Sequence, residues 1–350
     1  MKQTGDAMRA LEALILSDGR PGHYSLSEGI VTAIAQVREV NLRRMQVERP
    51  WWLPARALSY LVNYGVSPEQ ILRRVYGVDA HALGSPDLIV SAGGDTLAAN
   101  ISAARVTGAA NVFYGSLRRY RPSDFSLVLT SYAEQAKGPN RLMTLKPSSN
   151  NPDEAEAAGS RPVRAPGDFP RVAGLIIGGD AGTVRYTDED WRELLVFISE
   201  CAELWGTRWI VSNAPRTPDL VSGMLAGMTG PQRAVQQFID IRQVGPGTLG
   251  PLLTDSEVIV CTADSSTMLS ECVWMRRPVV SVTPRGWALP ANEASYREWL
   301  SANGWAKQLP IAQLNPDSFL DVLDAIEPLD VNPLDKLAEE LKERLSLLIE

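Results

Sequence analysis

The chain has 350 residues, of which 45% are hydrophobic and 21% charged, and a formal net charge of −7. At about 100–200 residues per domain, that length suits two domains with ordinary apolar cores. The acidic balance, with basic residues only in pairs such as Arg43–Arg44 and Arg118–Arg119, argues against nucleic acid as the main partner.

The opening "MKQTGDAMRALEALILSDG" lacks the long apolar core and small-residue cleavage site of a signal peptide, and no apolar run approaches the roughly 18 residues of a membrane span. The expectation is therefore a cytoplasmic protein. Short apolar runs then alternate with helical patterns. In the first half the spacing predicts strands at Ala13–Leu16, Glu39–Leu42, Asp87–Ser91, Asn111–Tyr114 and Leu127–Thr130. In the second half it predicts Gly174–Ile177, Arg208–Ser212, Gln237–Ile241, Val258–Cys261 and Val279–Val282. Most runs are continuous rather than alternating, as expected of parallel strands covered on both faces, so the class is α/β and doubly wound. Between the halves, residues 146–170 are dense in Pro, Ser, Asn, Gly and Asp and read as a boundary. The expected units are 1–150, 151–325 and a C-terminal amphipathic helix within 326–350 that covers a surface or bridges back to the first domain. Cys201, Cys261 and Cys272 lie in apolar patterns without paired spacing, which suits buried, reduced thiols. With only two histidines, no cluster has metal-ligand spacing, and no metal or cofactor is expected.

In open α/β sheets ligands sit beyond the carboxyl ends of the strands, so the loops that follow them hold the candidates. The first gives Asp18, Gly19, Arg20, Gly22 and His23; "SAGGDT" adds Asp95. The second half gives Gly178, Gly179 and Asp180, then "SNAPRTP" with Ser212, Asn213, Arg216 and Thr217, then "RQVGPGT" with Gln243, Val244, Gly245 and Gly247. Last comes "ADSSTMLSE" with Asp264, Ser265, Ser266 and Glu271. Glycines admit a phosphate close to the backbone, and a helix N-terminus offers free N–H groups to an anion. Ser265 and Ser266 could cap a helix or bind that anion. Glu271 is not three residues beyond either serine, so a capping box does not explain it. A ribose ligand and a solvated helix face both remain open for it. "LIVSAGGDT" and "LIIGGDAGT" echo each other, each a strand ending in Gly-Gly-Asp. There is no G-x-G-x-x-G after the first strand, no P-loop and no G-x-S-x-G elbow, which weakens dehydrogenase, NTPase and hydrolase readings.

"LSDGRPGH", "SAGGDT", "GLIIGGD", "SNAPRTP" and above all "TADSSTMLSECVWMRRPVVSV" resemble, in order from about residue 13 to 300, the bacterial and plant family named for ELM-type mitochondrial fission proteins. That family resembles the GT-B glycosyltransferases: two Rossmann-like domains facing across a cleft. Similar architecture serves lipid A disaccharide synthase, the lipid II transferase and the non-hydrolysing UDP-N-acetylglucosamine 2-epimerase. The resemblance implies a C-terminal domain that binds a nucleotide sugar. Ser265 and Ser266 would face the diphosphate and Glu271 the ribose. Gly179, Asn213 and Arg216 would border the phosphates and sugar, and Gln243–Val244 would meet the base. The chain departs from the family where it has Asn213-Ala214 in place of a second basic residue, and Tyr24-Ser25 after the histidine.

The function expected is glycosyl transfer from a nucleotide sugar without a metal. His23 would act as base, since imidazole is tuned for that near neutral pH, with Asp18 and Asp95 as alternative bases. Arg20 suits the charge of the leaving group. The acceptor is unidentified, with lipid-linked and cell-envelope acceptors among those such folds serve. A nucleotide-sugar epimerase shares the donor site. A non-catalytic recruitment protein is the third reading, since plant members are implicated in recruiting a dynamin-related protein. Finally, Trp51 and Trp52 follow a proline among Arg43, Arg44, Arg49 and Arg56. Adjacent residues cannot both face one core from a regular element. The pair suits either packing under a loop or a contact with the inner face of a membrane.

Overall fold

The computed structural model describes residues 9–158, 164–245 and 248–349, so residues 1–8 of the N-terminal stretch, 159–163 of the boundary segment, and Gly247 lie outside the described residues. The chain divides into two compact units, one of residues 1–150 with 333–350, the other of residues 151–332. The first unit runs β1 (Leu11–Ser17), α1 (Pro21–Ala35), β2 (Val40–Gln46), α2 (Ala55–Asn63), α3 (Pro68–Val75), β3 (Leu88–Ala92), α4 (Leu97–Thr107), β4 (Ala110–Tyr114), β5 (Leu127–Thr130) and β6 (Arg141–Met143). Its strands form one parallel sheet in the order β2-β1-β3-β4-β5-β6. Leu88–Ala92 is buried at every position and Ala110–Tyr114 at all but the first. Such runs need cover on both faces, which the flanking helices supply.

The second unit runs α5 (Pro152–Ala158), β7 (Val172–Ile176), α6 (Asp188–Trp205), β8 (Arg208–Ser212), α7 (Asp219–Gly227), β9 (Val235–Ile239), α8 (Ile241–Val244), α9 (Gly250–Asp255), β10 (Val258–Thr262), α10 (Ser266–Trp274), β11 (Val279–Thr283), α11 (Ala291–Ala302), β12 (Ala306–Pro310) and α12 (Pro316–Asp324). Its parallel order is β12-β11-β10-β7-β8-β9. Renumbered within the unit this is 6-5-4-1-2-3, the dinucleotide-binding order, whose direction reverses between β7 and β10. In the first sheet the reversal falls between β1 and β3. Ligand crevices are therefore expected at those two gaps.

The interior strands were legible as continuous apolar runs. Most departures fall on sheet edges, although interior β1 and β7 also begin two residues before the expected start. Strands β6 and β12 were not anticipated, β9 lies two residues earlier than expected, and β2 extends four residues further, to Gln46. Edge strands such as "VNLRRMQ" and "AKQLP" are half-exposed, so they mix polar and apolar residues and lose the buried-strand signature. Part of the boundary segment is also more ordered than its composition suggests. Lys146 and Ser148 are buried. A Cβ at Gly29 of α1 would come within 3.0 Å of the backbone at Pro147 and Ser148, so this glycine lets α1 lie against that segment. Helix α5 supplies Asp153 and Glu156 to Arg276, at 2.6 and 2.8 Å. The C-terminal helices α13 (Pro333–Arg344) and α14 (Ser346–Ile349) belong to the first unit. Leu334, Leu337, Ala338 and Leu341 of α13 are buried, and the helix packs on α1.

Candidate functional site

In the second unit the reversal between β7 and β10 is flanked by Gly178-Gly179-Asp180 and Asp264-Ser265-Ser266. The side chain of Asp264 is fully buried and accepts from Arg216 Nε at 2.9 Å, from a second nitrogen of the same guanidinium, and from Thr262 Oγ1 at 2.6 Å. Thr262 Oγ1 in turn accepts the Gly178 N–H at 2.7 Å. A Cβ at Gly178 would lie within 3.0 Å of both Asp264 carboxylate oxygens, and one at Gly179 within 3.0 Å of the Arg216 carbonyl. The two glycines thus exist for close approach, one by a carboxylate and one by the neighbouring backbone. The outcome is an Arg216 side chain 37% exposed, its guanidinium held by a buried carboxylate at the mouth of the crevice. Charge-assisted bidentate pairing of this kind fixes where the arginine points.

Helix α10 starts on this crevice. Ser265 is its N-cap and accepts the Met268 N–H at 3.3 Å. Ser266 is the first helical residue, and Glu271 is half-buried just over one turn further on. Residues 267, 268 and 271 share a face by the i, i+3, i+4 rule, whereas Leu269, Ser270, Cys272 and Val273 face the core. The strand tip is braced from below. Tyr186 Oη accepts the Ala263 N–H at 2.8 Å and donates to the Val282 carbonyl at 3.0 Å, and buried Arg297 donates to the Ala263 carbonyl at 2.7 Å. Burial, together with the nearby Asp264 charge, pushes the Tyr186 phenol far up, so it serves as a neutral brace. Sequence reasoning missed Tyr186, Arg297 and Thr262, because single residues distant in the chain carry no local pattern.

Other candidates from the same loops have structural partners. The Asn213 amide is buried; it donates to Ser222 and Asp240 at 3.1 and 2.8 Å and accepts from the Ile241 N–H at 2.8 Å. Thr217 Oγ1 is buried against the carbonyls of Gly178 and Ile177. Ser212 is buried and donates to the Asn213 carbonyl. These three tie the tips of β7, β8 and β9 together, and none presents a free polar group to a ligand. Asp180 accepts the Tyr186 N–H at 3.0 Å and shapes its turn. Gln243 and Val244, expected in a loop, form the end of the short α8; Gln243 donates to Asp240 at 3.1 Å and Val244 is exposed.

In the first unit the reversal between β1 and β3 is flanked by Asp18–His23 and Gly93-Gly94-Asp95. His23, expected in a loop, lies in the first turn of α1, because Pro21 at the helix start pre-sets the backbone. Gly22 is helical with it, while Gly19 takes a positive φ of 78° before the helix. His23 Nδ1 is 2.8 Å from Asp18 Oδ2, and the Asp18 side chain is only 4% exposed. In the neutral ring that pairing puts the proton on Nδ1 and leaves Nε2 as the acceptor. Asp18 therefore orients the histidine and is poorly placed to be the base itself. Asp95 is taken up by Arg49 at 2.9 Å and Arg20 at 3.7 Å, with its backbone carbonyl held by Tyr76 at 3.0 Å. It organises two arginines. A Cβ at Gly93 would lie within 3.0 Å of the His23 ring, and one at Gly94 would come 2.5 Å from the Arg118 guanidinium. The Gly-Gly-Asp echo thus has a related physical meaning in both units: the paired glycines admit close neighbours to the strand tip, titratable or charged groups at Gly93, Gly94 and Gly178 and a backbone carbonyl at Gly179.

The adjacent tryptophans are both open to solvent, Trp51 at 91% and Trp52 at 63%, so packing under a loop is excluded. They occupy the turn before α2, where no neighbouring element among the described residues covers them. Exposed Tyr60 and Tyr64 follow on α2 with rings stacked at 5.8 Å.

Residues 21–345 match the model of the family described as Mitochondrial fission ELM1. The chain belongs to that family. A comparison with curated protein sequences finds no significant match. Among solved structures, the chain is similar to the UDP-GlcNAc 2-epimerase of Methanocaldococcus jannaschii, at 13% identity and a TM-score of 0.56, covering 97% of this chain and 100% of that one. It is also similar to the glycotransferase of kitacinnamycin, at 14% identity and a TM-score of 0.50, covering 96% of each. These likenesses establish the fold, the two-domain architecture of GT-B glycosyltransferases and related epimerases. Among the described residues no helix is long and apolar enough to cross a membrane.

Proposed function

We propose that this family member transfers a sugar from a nucleotide-sugar donor to an acceptor hydroxyl. The observation that carries the reading is the Asp18–His23 pair, an imidazole oriented by a buried carboxylate at the first unit's switch point. In the proposed step His23 Nε2 takes the acceptor's hydroxyl proton as that oxygen bonds to the sugar's anomeric carbon. The nucleoside diphosphate departs with the electron pair of the broken bond. Its charge is met by Arg216 and the positive dipole end at the start of α10, with Ser265 and Ser266 beside them. Glu271 accepts from the ribose hydroxyls. Neutralisation by a guanidinium and a helix terminus supports a mechanism without a metal. An acceptor drawn from the cell envelope would be met at the inner membrane face, and exposed Trp51 and Trp52 are suited to that contact.

Thermal unfolding in the presence of a panel of nucleotide sugars tests the donor. At least one should raise Tm in a concentration-dependent manner. Stabilisation by none of them would sink the reading and favour a recruitment protein. If a donor binds and is converted to its epimer with no acceptor present, the site runs epimerisation instead.

A further inference from the structure

The first unit holds a cavity of about 580 Å³ whose lining includes Arg56, Ser59, Gly94, Arg118, Arg119 and Tyr120. Three arginines line it in a protein of net charge −7, and the Arg118 guanidinium lies against Gly94. Among the described residues none of the three has an ion pair or a side-chain hydrogen bond, while nearby Asp95 is already engaged by Arg49 and Arg20. Like charges gathered without a counter-charge repel, so packing alone gives no reason for the arrangement.

The backbone is also arranged for it. Arg118 sits at a φ of 54°, one of two non-glycine residues in the left-handed region among those described. A side chain there is strained, and such outliers persist where surrounding structure requires them. Gly94 lacks a Cβ at the spot where one would meet the Arg118 guanidinium. The same guanidinium pulls the Tyr120 phenol down, although burial dominates and lifts it to about 12. Strain, an absent Cβ and an uncompensated charge cluster all serve to aim Arg118 into the cavity. Gly94 directly follows Gly93, the residue on which the His23 ring lies.

We propose that this cavity binds a phosphate or diphosphate group carried by the acceptor. Guanidinium forks match the tetrahedral oxyanion, and three of them suit a dianion better than a single carboxylate. The inference rests on the acceptor-side role given to His23 and names the class: a phosphorylated acceptor, whose phosphate lies in the unit that carries the base.

Calorimetric titration with inorganic pyrophosphate at low ionic strength tests it without a donor or turnover. Wild type should bind, with affinity falling as salt rises. Arg118→Gly should weaken binding about tenfold, the loss expected of one charge-assisted contact, and Arg118→Gly with Arg119→Gln more than that. Glycine at 118 relieves the positive φ, so the substitution adds no backbone strain, and an unchanged circular dichroism spectrum checks that the variant is folded. Arg216→Gln reports any binding at the donor crevice. If affinity follows Arg216 and is untouched by the Arg118 and Arg119 substitutions, the inference is overturned even where the donor panel succeeds. Sedimentation with phosphatidylcholine vesicles, with and without phosphatidic acid, separates the sources. Capture that needs both phosphatidic acid and Arg118 marks a lipid phosphate. Pyrophosphate binding that needs Arg118, with no vesicle capture, marks a soluble phosphoester.

Discussion

Gly178→Ala puts the donor-side geometry under direct test. The added Cβ would lie within 3.0 Å of both Asp264 oxygens, a distance real Cβ atoms essentially never show. Because the Asp264 side chain is fully buried, its carboxylate cannot swing into water and must lose geometry with Arg216 and Thr262. Breaking a buried charge pair costs about 3–5 kcal/mol, whereas a well-made hydrogen bond to a charged group is worth about 1.5–3 kcal/mol. We expect about 3 kcal/mol of destabilisation, since the pair is distorted rather than deleted. That is a large share of the roughly 5–15 kcal/mol available to a folded domain. Urea unfolding followed by circular dichroism measures it. Gly223→Ala is the control: nothing lies within 4 Å of its added Cβ in helix α7, so it should stabilise by about 0.5–1 kcal/mol. Asp264→Ala frees the space that the new methyl needs. The cost of Gly178→Ala should therefore shrink in that background, and the two effects should not add. Additive costs, or a Gly178→Ala variant within about 0.5 kcal/mol of wild type, would refute the reasoning.

Glu271→Gln should leave folding almost unchanged and weaken nucleotide binding by about 1–3 kcal/mol, read by calorimetry against the best member of the donor panel; an unaltered affinity removes its ribose role. Asp18→Asn should lower kcat about a hundred- to ten-thousand-fold with KM little changed, because the amide no longer selects the Nδ1–H tautomer of His23. Adding His23→Gln should cost little more, since the two act as a unit; multiplying losses would argue against the pair. Trp51→Ala with Trp52→Ala should shift stability by no more than about 0.5 kcal/mol, both rings being exposed, yet abolish flotation with anionic liposomes. Wild-type protein that never floats at low salt would end the membrane proposal.

The sequence by itself determined the architecture, because buried parallel strands must be apolar throughout. The interior strands β1, β3, β4, β7, β8, β10 and β11 are such runs, and the turns beyond them held the candidate residues. The four edge strands escaped or were misplaced, since a strand paired on one side alternates polar and apolar residues like an amphipathic loop. Roles within the site were decided only by tertiary structure. Asp18, Asp95 and Asp264 look alike as carboxylates after strands. In the fold one orients His23, one gathers Arg49 and Arg20, and one holds Arg216. Asn213 and Thr217, equally plausible as ligands on paper, are taken up by Asp240 and the Gly178 carbonyl instead. The three unpaired arginines come from stretches some sixty residues apart, Arg56 on α2 and Arg118–Arg119 after β4. A hydrogen-bond partner or a missing counter-charge is a fact about neighbours in space, and folding alone chooses those neighbours.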